Sequence, residues 1–589
     1  MKKTAILAVA IAAFVMAAAF RYATVSTRDA AEAGTATQAG KVTTAVTALK
    51  QRYSLSCRVA PDLGLEAEDI PPLTGWGPHR WKITTRSDST QFYFNQGINL
   101  YYAFHTLEAR ASFAKAIRFD PACAMAYYGR ALALGPTINY GNGYRAEQAA
   151  YEAAQKSLQF ASGCTPVEKG LIGTINKRYS GDTAFDLKRL QIDYSAAMQA
   201  MATTFPKNAD VVTLYADALM LEHPWDLYGI DLKPKPWTPT IKAILKKALA
   251  LDPLHPGALH FMIHTTEGSL DPDEGLPSAE RLATLMPDVA HVTHMPSHIY
   301  IRTGNYKKGV IVNDSAIRNY AKYLQLYQPV EQDAGLYLLH AVHLKLTCAM
   351  MAGNYSIALA ASDTLRRLIP SEVLRTPGGA GNFYQYVYDA RLFTLIRFGA
   401  WDSILLDPLP DTGTCYSVFL HHFARGMAFS HLGKYAEAEQ ELAVLQTTHQ
   451  NAVLKAPYDP FSDAFSAGLV AEAILTGVLA EQKGDYRAAK EAFERGVQAE
   501  DALVYDEPRD WLLPARQYLG DLLLQMGDPA GAVAVFQRDL EINPLNGWSL
   551  TGLGQAYTAL KNKTALEKVN KSLSIAWQIR DRDIKRAVY

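Results

Sequence analysis

The sequence predicts an all-α fold, a solenoid in which antiparallel helix pairs stack into a superhelix. Three observations predict it. A motif of about 34 residues recurs along the chain. Gly followed by a polar residue punctuates the expected turns, and alternating β-branched runs of the strand type are almost absent. At 589 residues, the chain also exceeds the size at which a single core keeps growing, so several domains or a repeat array are expected.

The clearest repeat lies between Leu512 and Pro544, with Leu519-Gly520, Ala532, Phe536 and Pro544 at the spacings of one tetratricopeptide (TPR) unit. Gly lets the two helices of a pair approach, Ala fits the same crossing, and Pro ends the second helix. Gly97, Ala109, Phe113 and Pro121 give an earlier unit, and Gly129 opens the next. Gly426, Ala438 and Leu442 give another, as do Gly477, Ala489 and Phe493. A shorter last unit begins at Asn546. The turns read Gly304-Asn305, Gly353-Asn354, Gly433-Lys434, Gly484-Asp485 and Gly527-Asp528.

The organisation that follows has four parts. Residues 1–21 carry Met1-Lys2-Lys3, an apolar run from Ala5 to Phe20 and Arg21, the layout of a secretory signal or a short uncleaved anchor. Export to the periplasm or cell envelope is expected, with membrane contact only through that segment if it stays uncleaved. Residues 22–85 form a polar, irregular lead-in. Residues 86–370 form an N-terminal TPR-like array with His-rich central helices, and 371–589 a C-terminal array, the break falling at 370–385 around Gly378-Gly379. Residues 222–240 are expected to be a long loop, either functional or a flap.

Composition narrows the function. Lys+Arg and Asp+Glu both number 58, which removes the simple electrostatic case for nucleic acid or an anionic membrane surface. The five cysteines have no CxxC spacing, against a disulfide framework and a Cys-type zinc site. Cys123 and Cys348 read as small buried hydrophobes, and a Cys57–Cys164 bridge is conceivable. No phosphate-binding loop, dinucleotide fingerprint or Gly-x-Ser-x-Gly turn occurs.

Histidine is the uneven residue. Eight of 15 lie between His255 and His343, where uniform placement would put about two. His260 and His264 are four apart on an expected helix, Pro256 to Thr266, with Glu267 three further on; His294 and His298 repeat the step. Imidazoles at i and i+4 share a helix face, the arrangement that lets both bind one metal. The helices of His260/His264, His294/His298 and His340/His343 are expected to be first helices of three successive pairs. The metal-ligand set is therefore His260, His264, His294, His298 and His340, with Glu267 as ligand or catalytic base. Imidazole-rich sites suit zinc, copper or iron, and no HExxH pattern is present. A lone His in such a helix is more often a satisfied packing residue; the doubled pairs set this segment apart.

A second constellation joins Glu507, Asp510, Trp511 and Arg516 to Trp548 in the next unit. Acidic groups, an Arg and two Trp at successive helix mouths are a candidate site for a polar or cationic ligand. The competing reading makes them helix-start and packing residues.

Asn95-Gln96-Gly97, Asp120-Pro121-Ala122-Cys123-Ala124-Met125, His255-Pro256-Gly257-Ala258-Leu259-His260, His294-Met295-Pro296-Ser297-His298, Tyr505-Asp506-Glu507-Pro508 and Asn546-Gly547-Trp548 together resemble a widespread group of bacterial exported TPR proteins. The resemblance covers about residues 90 to 560. It implies the fold and the His segment as a shared feature, and no activity. Two function classes follow. One is a TPR solenoid that binds a protein, peptide or small molecule in its concave groove and carries a His-rich metal site. The other is a metal-dependent enzyme or metal-handling protein centred on the same histidines.

Overall fold

The computed structural model describes residues 69–139, 147–182, 184–327, 331–458 and 462–589. The segment expected to be an N-terminal signal or anchor, most of the lead-in and Cys57 lie outside these residues. The described chain is all-α, with two isolated β-bridges and no strand among the described residues. It divides into two compact units. One holds the residues up to Ile299 with Ser315–Leu338; the other holds Tyr300–Asp314 with Leu339–Tyr589. The division falls earlier than the 370–385 break in the sequence. Gly378, at φ +75°, caps the Gly379–Tyr388 helix inside the second unit instead of separating domains.

The repeat chemistry of the first unit is visible in its opening helices, Asp88–Tyr102, Thr106–Phe119 and Ala124–Leu134. Ser87 caps the first by accepting from the Thr90 N–H. The Phe113 ring sits between two glycines: a Cβ at Gly97 would stand 2.8 Å from it, and one at Gly129 only 2.3 Å. Small residues on first helices thus admit the aromatic residue of the second helix, and the pair closes around it. Three further pairs follow, Pro166–Arg178 with Leu187–Thr204, Ala209–Glu222 with Thr238–Leu251, and Pro256–Glu267 with Leu276–Leu285.

The second unit repeats the device. Phe493 packs against Gly477, and Phe536 against both Gly520 and Gly552, where added Cβ atoms would lie 2.2–2.6 Å from the rings. Its pairs include Cys415–His431 with Tyr435–His449, Ala464–Gln482 with Tyr486–Asp501, and Ala515–Gln525 with Pro529–Ile542. The Ala464–Gln482 helix is long and apolar enough to cross a membrane, and it is the first helix of one of these pairs. Cys123 and Cys348 are buried free thiols, as their sequence context suggests, and Cys164 is also free.

Several of the inter-helix turns share one geometry. The residue after the turn donates its N–H to a carbonyl five residues back, as Lys434 does to Phe429 and Asp485 to Ala480. The residue before it has positive φ and is glycine at Gly304, Gly353, Gly433, Gly484 and Gly527. The first unit's opening turn has the same bond, His105 N to Leu100 O at 2.9 Å, but Phe104 occupies the left-handed position at φ +58°. An L-residue there costs about 1–2 kcal/mol. That strained residue stands at the site described next.

Candidate metal centre

Four of the five sequence-proposed histidines, together with Glu267, lie in the first unit. Pro256–Glu267 begins with a cap in which the His255 Nδ1 accepts from the Ala258 N–H, and with Pro256 in the first turn. Every residue of this helix is buried, so its polar groups must find partners inside the protein. Gly257 is required by a close approach: a Cβ there would lie 2.5 Å from the Tyr102 ring.

His260 Nδ1 lies 2.7 Å from the Tyr102 carbonyl, which only accepts, so Nδ1 carries the proton and Nε2 is left as a lone pair. His264 Nδ1 lies 2.8 Å from Glu267 Oε1. With Glu267 ionised, His264 donates there, and its Nε2 is turned onto the His260 lone pair. The two Nε2 atoms face each other at 3.0 Å. His291 completes a group whose ligand nitrogens all lie within 4.8 Å of one another. It is 2% exposed, and neither of its ring nitrogens has a hydrogen-bond partner. Its backbone N–H donates to His105 Nε2 at 3.3 Å, and His105 Nδ1 is held by Glu108 at 2.7 Å.

Glu267 also accepts on its other oxygen: Oε2 lies 2.6 Å from His298 Nδ1. His298 Nε2 then faces His294 Nε2 at 2.8 Å. Pro296 interrupts the amide ladder, so the stretch expected as one helix is two, Ala290–His294 and Pro296–Arg302. Met295 keeps helical dihedrals between them, at φ −49° and ψ −38°, and the i, i+4 pairing of His294 and His298 survives. Both carboxylate oxygens of Glu267 engage imidazole nitrogens, which makes it an orienting group for two rings.

Aromatic walls enclose the rings. The Phe104 ring lies 4.5 Å from His260, 5.8 Å from His264 and 5.9 Å from His291 between centroids. Trp225, also left-handed at φ +61°, sets its edge on His264 at 5.1 Å. It belongs to the loop between Glu222 and Thr238 that the sequence marked as a functional loop or flap, and Tyr228 of that loop donates to the Thr265 carbonyl at 2.5 Å. Burial, reinforced by the neighbouring imidazoles, holds His260 and His291 well below the usual histidine range. They are neutral at pH 7, the protonation state of a metal ligand.

A second His/carboxylate group in this unit behaves differently. Asp210 Oδ1 is approached by His79 Nε2 at 3.0 Å, His255 Nε2 at 3.2 Å and the Tyr102 hydroxyl at 2.9 Å. Since the His255 Nδ1 accepts from Ala258, its Nε2 must donate. Hydrogen bonds therefore saturate this oxygen, and the group reads as a structural network.

His340 lies in the second unit, where its Nε2 is 3.7 Å from Glu507 Oε2. The other candidate ligand contacts there are committed to the unit's own interior. Asp510, 2% exposed, accepts from the Tyr458 and Ser462 hydroxyls. Arg516 pairs in two-pronged fashion with Asp501 at 2.7 and 2.6 Å. Trp511 and Trp548 are 2% and 0% exposed, and the Trp548 Nε1 donates to the Met350 carbonyl at 2.9 Å. Neither indole offers a ligand a face; both are core, as their bulk and apolar surface favour.

The sequence reading missed His291, Phe104 and Trp225. His291 stands three residues before His294, outside the four-residue step used to find pairs. Phe104 stands in a turn that keeps the TPR-like geometry but lacks its glycine, as Lys561 does in the last pair.

A cleft of about 1170 Å³ also opens in the first unit, away from these histidines, lined by Trp76, Arg80, Leu254, Glu280, Arg281 and neighbouring residues. The Arg80 guanidinium lies 4.7 Å over the Trp76 ring.

No protein-family model matches the chain, and no curated protein matches it. Among solved structures, the chain is similar to the human IFIT1 dimer with m7Gppp-AAAA, at 13% identity over 90% of this chain and 95% of that one, TM-score 0.30. It is also similar to yeast Tom70, at 13% identity over 82% and 92%, TM-score 0.27. The TPR domain of P58(IPK) is a third, at 12% identity over 80% and 98%, TM-score 0.21.

Proposed function

We propose that this chain is a metal-binding TPR-like protein that holds a divalent transition ion on His260, His264 and His291. One observation carries the reading. Two buried Nε2 atoms face each other at 3.0 Å, the Nδ1 of each already engaged by an oxygen, beside a third imidazole with both nitrogens unpartnered. Two lone pairs repel unless a cation lies between them, and burial disfavours a proton. A metal bound at 2.0–2.1 Å by two imidazoles holds their nitrogens about 2.9–3.4 Å apart, which matches. Three imidazoles suit zinc, copper or iron. A bound ion would supply Lewis acidity or redox chemistry; the residues contribute orientation through Glu267 and a dry wall through Phe104 and Trp225.

Elemental analysis of purified, tag-free protein tests this. Near-stoichiometric metal is expected, and a His260→Ala/His264→Ala variant that still folds by circular dichroism is expected to lose it. Protein that stays metal-free after incubation with zinc, copper and iron salts would falsify the reading.

A second reading has its own support. A protein, peptide or small-molecule ligand, the role for which helical repeats are most used, has a seat in the cleft beside Trp76 and Arg80. Screening the Trp76→Ala/Arg80→Ala variant against the wild type tests it, with equal binding of every captured ligand counting against that seat. Action in the periplasm or envelope is proposed from the Lys-led apolar run at residues 1–21. Recovery of the full-length chain solely in the cytoplasmic fraction would refute it.

A further inference from the structure

We infer that the centre takes two metal ions, the second on His294 and His298, with Glu267 as the single carboxylate that orients a ligand of each. This rests on the metal-binding reading of the first site and deepens it.

The arrangement repeats itself around one side chain. Glu267 Oε1 engages His264 and Oε2 engages His298, each through Nδ1, at 2.8 and 2.6 Å. Each of those rings then turns its Nε2 onto the Nε2 of the histidine four residues before it, at 3.0 and 2.8 Å. All four histidines are 3% exposed or less. A carboxylate behind a metal-bound imidazole is the usual device for fixing its tautomer and raising its basicity, and here one carboxylate serves two.

The two pairs are neighbours: the His264 and His298 ring centroids are 6.2 Å apart, and those of His291 and His294 are also 6.2 Å apart. An ion at one pair raises the electrostatic cost of an ion at the other. The anionic Glu267 between them offsets that repulsion and ties the orientation of one pair to that of the other.

Full-length, chelator-stripped protein titrated with Zn²⁺ against a chromophoric competitor, with elemental analysis of the dialysed product, tests the inference. Two ions per chain are expected for the wild type and one for His294→Ala/His298→Ala. Glu267→Gln is expected to weaken both ions about ten- to a hundred-fold, the usual effect of losing such a partner. Circular dichroism and the melting temperature of each variant report whether it folds. One ion in the wild type that the His294→Ala/His298→Ala variant retains in full overturns the second site and leaves the first standing. No ion in the wild type overturns both. Glu267→Gln that weakens only one ion removes its shared role.

Discussion

The Nε2 atoms of His260 and His264 face each other at 3.0 Å inside a helix that is buried on every side. Each imidazole has already given its Nδ1 proton to an oxygen, the Tyr102 carbonyl or the Glu267 carboxylate. A cation between them, a metal ion or a proton, makes the contact attractive, so the pair is sensitive to metal and to pH.

The pH response follows from burial. His260 and His291 lie well below the usual histidine range in the folded protein, so below about pH 6.5 the unfolded chain binds more protons than the folded one. Their contribution to stability is present above that pH and is lost as pH falls through it. The melting temperature of metal-free protein is expected to fall between pH 7 and pH 5, and that of metal-loaded protein to start higher and to fall at least as steeply, because unfolding frees its ligand histidines to take up protons. Superimposable calorimetric curves for the two forms would contradict this.

Phe104→Gly tests the walled turn. Glycine relieves left-handed strain worth about 1–2 kcal/mol but removes a buried ring, a loss of about 3–5 kcal/mol. A net destabilisation of about 1–4 kcal/mol is expected, together with weaker metal retention, since the ring packs on His260, His264 and His291. Chemical denaturation and a chelator competition measure the two effects. A more stable variant with unchanged metal affinity would refute the role given to Phe104.

Two glycines of the array are expected to fail for different reasons. Gly129→Ala drives a methyl to 2.3 Å from the Phe113 ring, an overpacking that costs about 1–3 kcal/mol. Gly433 has open space around its missing Cβ but φ +74°, so Gly433→Ala costs about 1 kcal/mol through the backbone alone. Gly433→Asn, which tolerates the left-handed region, is expected to recover part of that loss in a urea melt; Gly129→Asn is not.

Glu500 in the second unit gives an opposite pH signature. Burial raises its carboxyl from the ordinary range to about 7, and its Oε2 accepts from the Ala515 N–H. Its folded value is above its unfolded one, so stability is fullest below about pH 4.5 and is lost as pH rises through 7. The shift corresponds to about 3 kcal/mol. Glu500→Gln is expected to be more stable than wild type at pH 8 and to flatten the melting profile between pH 5 and pH 8. An unchanged slope would count against the assignment.

How much was legible in the sequence depends on range. The helix pairs and the two HxxxH pairs are local patterns: four residues along a helix make one turn of face, and that geometry does not depend on tertiary context. Gly97, Phe113 and Gly129 were readable for the same reason. The function of Glu267 was not, because its second partner, His298, is 31 residues away and joins it only through packing. Trp511 and Trp548 were misplaced because a Trp at a helix mouth looks the same in sequence whether it greets a ligand or fills a core. The Gly378-Gly379 break misled because a helix cap and a domain boundary share the same punctuation.

Phe104 breaks the punctuation of the array at the one turn that abuts the histidines, and this has a consequence for inheritance. A chain that loses the histidines has nothing to gain from a strained aromatic in that turn, and drift restores glycine there. A chain that keeps them is held to the aromatic. Among relatives of this protein, residue 104 and the histidines are therefore expected to change together, although 156 positions separate residue 104 from His260.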